Sequence, residues 1–279
     1  MKVGFIGTGS MGSLLVEAFV NAGAMLPEDI TVSSRTRAKA EALATRCPGL
    51  RLAESNEETA RRSDVLFLCV RPSEFGAVLP EIAPVLRPGQ IAVSITSPVT
   101  IAQLEAYLPC KVAKIIPSIV NAVRSGATLL IWGHRLSVAD RVILQELFAA
   151  ISRPVEIREA DVRAASDLSS IGPAFFAYLL GAFIDAAVAQ CGMDRRTAET
   201  LAPEMLLGTA RLMLEQGFTP QELQARVSVP GGITAEALQQ LRASTADAFE
   251  AVLRVTHEKF AADLEKVARS LRLPPVPKQ

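Results

Sequence analysis

The most constraining feature of this sequence is a glycine-rich stretch near its first residue. Residues 3–6 form an apolar run typical of a buried parallel strand, and residues 13–22 continue as an apolar, helix-compatible segment. The G-x-G-x-x-G spacing between them suits a dinucleotide, because the glycines permit a tight turn, close approach of a pyrophosphate and packing of helix on strand. The alternative is a glycine-rich turn without a ligand. We predict that the cofactor-binding residues here are Gly7, Thr8, Gly9, Ser10, Met11 and Gly12.

Charge and composition exclude several classes of protein. The 279 residues carry 29 basic and 29 acidic side chains with no basic block, so nucleic acid is not an expected partner. Four widely spaced cysteines and two histidines argue against a disulfide framework and a metal site. The most apolar run, residues 173–188, contains Asp185 and predicts a buried helix rather than a membrane span. No signal-like segment precedes the first strand, so we expect a soluble, cytoplasmic protein.

The order of strand-like and helix-like segments predicts two domains. Apolar, strand-like runs at residues 30–33, 64–70 and 91–95 alternate with helix-like segments, and this alternation continues to residue 157. Such alternation predicts an α/β fold, a Rossmann-type doubly wound domain. From residue 158 onward only helix-like segments follow. We therefore predict a dinucleotide-binding domain over residues 1–157 and an all-helical domain over residues 158–279.

The end of the second predicted strand favours NADP(H) over NAD(H). An enzyme that prefers NAD would carry an acidic residue there for the ribose hydroxyls, whereas this chain reads Ser33-Ser34-Arg35-Thr36-Arg37. The Ser34 hydroxyl and the Arg35 guanidinium suit a 2′-phosphate, because arginine forms charge-assisted bonds to phosphate oxygens. The alternative is that Arg35 and Arg37 lie on the solvated start of the next helix. Further on, Asn56 is a candidate N-cap for the helix that follows it.

Four stretches carry a resemblance to a known family: Ile6-Gly-Thr-Gly-Ser-Met-Gly12, Ser63-Asp-Val-Leu-Phe-Leu-Cys-Val-Arg-Pro72, Gly172-Pro-Ala-Phe175 and Val227-Ser-Val-Pro-Gly-Gly-Ile-Thr234. Together they resemble the pyrroline-5-carboxylate reductase family over nearly the whole chain, including its divergent competence-associated branch. The resemblance implies an NADP-dependent reductase of a small cyclic imino acid, 1-pyrroline-5-carboxylate to proline. It also implies a helical domain that dimerises and binds substrate between subunits.

The resemblance also implies roles for individual residues. Thr234 is the expected catalytic residue, its hydroxyl bonding the ring nitrogen of the substrate, with N-capping of a helix that begins near Ala235 as the alternative or additional role. The expected substrate-binding residues are Gly231, Gly232, Ile233 and Ser169, with the backbone N–H groups of Gly232 and Ile233 taking the carboxylate. The further cofactor-binding residues are Ser34, Arg35, Asn56, Val70, Arg71, Pro72, Thr96 and Ser118.

Several positions depart from the family pattern. Ser118 stands where the family has an asparagine near the nicotinamide, Ile171 and Val229 each replace a serine, and Ser170 replaces a glycine. These changes leave two alternatives open, a non-catalytic NADP-binding regulatory protein and a reductase for a different imine. Residues 160–190 contain neither Lys nor His, which argues against a hydroxyacid dehydrogenase that needs such a base. The apolar helix at residues 174–188 predicts a homodimer or higher homo-oligomer.

Overall fold

The computed structural model describes residues 1–271, and an eight-stranded sheet forms its centre. The strand order is β3-β2-β1-β4-β5-β6-β7-β8. Strands β1 to β6 are parallel, whereas β7 pairs antiparallel with β6 and β8 pairs parallel with β7. The strands are β1 (Val3–Ile6), β2 (Ile30–Ser33), β3 (Arg51–Leu52), β4 (Val65–Leu68), β5 (Ile91–Ser94), β6 (Lys111–Ile116), β7 (Ala127–Trp132) and β8 (Arg153–Glu156).

Seven helices lie between the strands or follow the last one, and five more complete the part of the chain that the structure describes. The alternation confirms the predicted α/β class, and the helical segment after β8 confirms the predicted all-helical region. The helices are α1 (Ser10–Asn21), α2 (Arg37–Arg46), α3 (Asn56–Arg61), α4 (Phe75–Ile82), α5 (Ile101–Tyr107), α6 (Val138–Ala149), α7 (Val162–Ser169), α8 (Gly172–Cys191), α9 (Arg195–Gln216), α10 (Pro220–Val227), α11 (Ile233–Thr245) and α12 (Ala248–Ser270).

Apolar side chains cover both faces of the central strands, as expected for a parallel sheet. On one face the rings of Phe5 and Phe67 stack with centroids 4.7 Å apart, and Phe19 meets Phe148 edge-on at 5.2 Å. The opposite face packs against α4, α5, α7 and the end of α12, where Val267 is fully buried. Burial on this scale is the main stabilising contribution to the sheet.

The described chain forms two compact units. The first comprises Met1–Gly172 and the chain from Val255, and the second comprises Pro173–Arg254. This division differs from the predicted boundary after residue 157, because α7 stays with the sheet through the buried side chain of Val162. The second part of α12 also belongs to the sheet unit, where the Tyr107 hydroxyl donates to the carbonyl of Leu271.

The long helix α8 is not buried by its own chain. Gly172 is its only buried residue among those described, so the predicted burial of this helix requires a second copy. The segment Glu159–Cys191 is long and apolar enough to cross a membrane by length and composition alone. Side chains such as Tyr178 and Phe183 are 76% and 63% exposed. The helix carries enough apolar surface to need a covering partner.

Candidate functional site

The predicted cofactor-binding segments meet at the carboxyl edge of β2, β1, β4 and β5, which are neighbours in the sheet. Short backbone bonds join them: the Gly7 N–H donates to Ser33 at 2.9 Å and the Cys69 N–H donates to Ile6 at 2.8 Å. The Thr96 hydroxyl donates to the carbonyl of Val70 at 3.2 Å. Doubly wound sheets bind dinucleotides outside the carboxyl ends of their strands, at the point where the strand order reverses.

The three glycines of the first loop have three different surroundings. Gly7 has a φ of 101°, in the left-handed region, and a Cβ there would meet the carbonyl oxygen of Cys69 at 2.5 Å. A Cβ on Gly12 would meet the carbonyl oxygen of Gly7 at 2.1 Å, so helix and strand approach as closely as backbone allows. A Cβ on Gly9 would meet no atom of the described chain within 4 Å. Gly9 therefore faces open space, which suits an approaching pyrophosphate.

Two further features of this loop fit a bound nucleotide. Gly9 is the N-cap of α1 without a side-chain cap, so the first-turn N–H groups of Ser10, Met11 and Gly12 have no intrahelical acceptor. Thr8 is 3% exposed, yet its hydroxyl has no hydrogen-bond partner among the described residues. Phosphate oxygens would satisfy both sets of donors. The loop thus fits the diphosphate of NAD(P).

The predicted 2′-phosphate residues lie at this edge in an acidic setting. Ser34 is half-buried, and Arg35 is exposed with its Nη1 atom 2.7 Å from Oε1 of Glu74. The second oxygen of Glu74 accepts the N–H of Arg71 at 2.9 Å. Glu74 therefore links the loop after β2 to the loop after β4, where Pro72 follows Arg71. A phosphate that approaches Arg35 would also meet the Glu74 carboxylate.

Asn56 does not have the capping role that its position suggested. Ser55 is the N-cap of α3, and its side chain accepts the N–H of Glu58 at 3.1 Å. The Asn56 side chain instead accepts from the Ser33 hydroxyl at 2.8 Å and donates to Glu81 at 2.8 Å. Its amide thus ties β2 to α4, and its contact with a ribose stays a prediction.

Ser118 and Ser169 contact each other rather than open space. Ser118 is fully buried, and its hydroxyl donates to the carbonyl of Ser169 at 3.0 Å. The Ser169 hydroxyl donates to the carbonyl of Ala165 at 2.7 Å. The contact joins the end of β6 to the end of α7. Neither hydroxyl is free in this arrangement, so the predicted ligand roles of both residues stay predictions.

Of the predicted substrate residues, Ser169 lies in the first unit, whereas the glycines, Ile233 and Thr234 lie in the second unit at the N-terminus of α11. Gly231 has a φ of 73° and Gly232 is the N-cap, so Thr234 lies inside the first turn and is not the cap that was considered. The Gly232 N–H donates to Val229 at 2.9 Å and is already engaged, contrary to its expected role as a carboxylate donor. The first-turn N–H groups of Ile233 and Thr234 remain as donors. The Thr234 hydroxyl has no hydrogen bond to any described residue.

Sequence reasoning missed Glu74 and Lys39 at the cofactor edge. Glu74 follows the strand β4 by six positions, and only the folded chain brings it to Arg35. Lys39 belongs to the first turn of α2, which contains no acidic residue. Helix N-termini ordinarily favour acidic side chains, so this basic first turn was a signal available in the sequence.

Comparison with known proteins shows similarity along the whole chain. A model described as pyrroline-5-carboxylate reductase dimerisation matches residues 159–262, and one described as NADP oxidoreductase coenzyme F420-dependent matches residues 2–98. ComE operon protein 4 of Bacillus subtilis is 37% identical over 98% of this chain and 100% of its own length. Pyrroline-5-carboxylate reductase of Methanosarcina acetivorans is 33% identical over 86% of this chain and 89% of its own. The pyrroline carboxylate reductase of Plasmodium falciparum, solved with NADP bound, superposes with a TM-score of 0.81 at 26% identity, covering 97% and 98% of the two chains.

Proposed function

We propose that this chain reduces 1-pyrroline-5-carboxylate, a small cyclic imino acid, to proline. The chain belongs to the pyrroline-5-carboxylate reductase family and is an NAD(P)H-dependent oxidoreductase acting on a CH–NH bond. The main support is the N-terminus of α11. There the unpaired Thr234 hydroxyl lies beside the first-turn N–H groups of Ile233 and Thr234. An anionic imine matches this combination of donors.

The chain's own residues have a limited chemical task in this reaction. Bound NADPH supplies the hydride. The first-turn N–H groups of α11 hold the substrate carboxylate. The Thr234 hydroxyl donates a hydrogen bond to the ring nitrogen, and this nitrogen takes up one proton, supplied by solvent, as hydride adds to the imine carbon. The remaining task is to hold the imine carbon against the nicotinamide. Hydride transfer between correctly oriented reactants needs no strong base from the protein. In this proposal residues 1–157 bind cofactor, and residues from 158 onward supply substrate contacts and dimerisation.

Three features of the fold support NADPH use by a cytoplasmic homodimer. The end of β2 carries hydroxyl and basic side chains and no carboxylate of its own. The exposed apolar residues of α8 belong to the segment matched by the dimerisation model. Asp185, in the middle of α8, is exposed and bonded to Arg195 at 2.7 Å, and such a charged pair suits a water-facing helix better than one in lipid. A second copy is therefore the partner that we propose for α8.

A reductase for a different, more apolar imine is the second candidate. Two branched apolar side chains beside the start of α11 are strongly exposed: Val229 at 67% and Ile233 at 91%. Exposed apolar groups beside polar donors are typical of ligand-binding sites. A substrate with a larger apolar body than the pyrroline ring would cover them.

The experiment measures NADPH consumption with pyrroline-5-carboxylate, alongside NADPH binding by fluorescence. Turnover with the pyrroline supports the first candidate. Turnover only with bulkier cyclic imines supports the second. Binding of NADPH without turnover of any imine would reject both reductase proposals and favour a regulatory protein. Absence of NADPH and NADH binding would overturn the interpretation of the glycine loop.

A further inference from the structure

Asp167, near the end of α7, is a buried carboxylate to which the proposed chemistry gives no part. Its side chain is only 2% exposed. One of its oxygens accepts from Nη2 of Arg163 at 2.9 Å, and the other accepts from the Thr256 hydroxyl at 2.9 Å. Nε2 of His257 lies 3.6 Å from this second oxygen. Asp167 thus contacts two residues of α12 as well as one of its own helix.

A second contact orients α12 on α7. The guanidinium of Arg163 lies over the ring of Phe260, 5.8 Å from the ring centroid. Thr256 and Phe260 are four positions apart on α12, as are the two charged residues on α7, so each pair lies on one helix face. A carboxylate in the interior is costly unless it is paired. These contacts therefore favour a single register of α12 on α7.

Both helices lead to places where the chain passes between the two compact units. The chain leaves the first unit after Gly172, five residues beyond Asp167. It returns at Val255, one residue before Thr256. Asp167 therefore joins the outgoing and the returning segment inside the first unit.

The contacts continue from the end of α7 to the loop after β6. The turn that follows Asp167 is tight, because a Cβ on Gly172 would meet the carbonyl oxygen of Asp167 at 2.8 Å. Within this turn the carbonyl of Ser169 accepts from the Ser118 hydroxyl at 3.0 Å. The N–H of Ser118 donates to the buried side chain of Asn121 at 2.7 Å. A continuous series of contacts thus joins α12, the end of α7 and residues 118–125.

We propose that Asp167 is a positioning residue, which fixes the end of α7 and, through Ser169, the loop that begins at Ser118. This inference rests on the proposed function, in which Ser118 lies near the nicotinamide. Hydride transfer depends steeply on the placement of the reacting atoms, so a looser loop slows the chemical step. Asp167 has no contact with the glycine loop that holds the diphosphate, so cofactor affinity is affected less than turnover.

The first test compares kcat, the KM for the imine and the NADPH dissociation constant in variants of the full chain. Asp167→Asn keeps the size of the side chain and removes its charge. It should lower kcat about tenfold, with the KM and the NADPH dissociation constant within about twofold of the wild type. Titration with NADPH counts the folded sites, so misfolded protein does not enter kcat.

Thr256 supplies a matched pair of variants, and Asp161 supplies the control. Thr256→Val removes the hydroxyl and keeps the shape, and it should lower kcat about threefold. Thr256→Ser keeps the hydroxyl and should retain most of the activity. Asp161→Asn breaks an exposed ion pair with Arg158 just before α7 and should leave kcat unchanged. If Asp167→Asn melts too low for kinetics, the two Thr256 variants decide the question.

Hydrogen exchange on the full chain provides a readout that does not need turnover. In Asp167→Asn the amides of residues 118–125 and of the end of α7 should exchange about tenfold faster, whereas Asp161→Asn should match the wild type. Unchanged exchange in residues 118–125 would overturn the proposal. So would a loss of NADPH affinity as large as the loss of kcat. A wild type that turns over no imine would refute the proposed reductase, and faster exchange in residues 118–125 of Asp167→Asn would still support the positioning of this loop by Asp167.

Discussion

The ammonium group of Lys114, in the interior of the sheet, lies 2.8 Å from the carboxylate of Glu159. Lys114 is 1% exposed, and the same Glu159 oxygen accepts the N–H of Ile101 at 2.9 Å. One carboxylate thus joins β6, the start of α5 and the segment before α7. Burial lowers the pKa of Lys114, because a charged ammonium loses its hydration there.

The buried lysine predicts a particular pH dependence of stability. Between its lowered pKa in the folded chain and about 10.4 in the unfolded chain, the unfolded state binds more protons. The free energy of unfolding should therefore rise with pH in this window through Lys114. In Lys114→Met this contribution should be absent, so urea unfolding from neutral pH to pH about 10.5 should show a smaller rise. Parallel curves for the two proteins would contradict the prediction.

Removal of the carboxylate should destabilise the sheet unit. Glu159→Ala leaves a buried cation without its partner, and we expect the free energy of unfolding to fall by about 2 kcal/mol. Breaking a fully buried ion pair costs about 3–5 kcal/mol. The expected loss is smaller here because the Glu159 side chain is 33% exposed. Urea unfolding measures it. Glu156→Ala, at an exposed position of β8, is the control and should stay within about 0.5 kcal/mol. Equal effects would show that the ion pair contributes nothing specific.

Substitutions at two glycines of the first loop should distinguish an effect on stability from an effect on cofactor binding. Gly12→Ala places a Cβ against the Gly7 carbonyl and should lower stability by about 1–3 kcal/mol. Gly9→Ala places a Cβ in open space, so it should fold with a melting temperature close to that of the wild type but bind NADPH at least about tenfold more weakly. Calorimetry and fluorescence titration measure the two effects. Tight NADPH binding by Gly9→Ala would place the diphosphate elsewhere.

Removal of the Thr234 hydroxyl should lower the rate of turnover without changing the affinity for NADPH. Thr234→Ala removes the hydroxyl proposed for the ring nitrogen and should lower kcat more than tenfold, an increase of about 1.4 kcal/mol or more in the barrier. The NADPH dissociation constant should not change. Thr245→Ala, whose hydroxyl bonds only to Leu241 on the same helix, should retain full activity. Undiminished kcat in Thr234→Ala would exclude it from the mechanism.

The exposed face of α8 should hold two copies together. Phe183→Glu places a charge among apolar side chains and should shift a dimer to monomer in light scattering at micromolar concentration. Gln190→Glu adds the same charge at an exposed polar position of α8 and should remain dimeric. A monomeric wild type, or one that needs detergent to stay in solution, would contradict the proposed pairing.

Periodicity and turn chemistry were sufficient to predict the strands and helices that build the cofactor edge. Local sequence patterns predict β4 and the glycine loop, because an apolar run and a glycine spacing each involve only residues that are neighbours in sequence. The cap of α3 shows the limit, because Ser55 and Asn56 are both good N-cap residues and only the backbone geometry selects Ser55.

The charge pairing at the cofactor edge could not be predicted in the same way. Arg35 and Glu74 are 39 positions apart, and Arg37 and Glu54 are 17 positions apart. Such contacts depend on how loops from different strands meet. The exposure of α8 was equally hidden from the sequence, since an apolar helix reads the same whether its own chain or a second copy covers it.

The return of α12 to the sheet has a consequence for the order in which the protein can form during synthesis. Val267 and Leu271 complete one face of the sheet core, and a Cβ on Gly76 would meet the carbonyl oxygen of Ser270 at 2.7 Å. The ribosome makes these residues only after the whole helical unit. Until then, the part of the sheet face that Val267 and Leu271 cover stays exposed in the growing chain. An N-terminal fragment that ends before α12 would therefore expose that part of the apolar face.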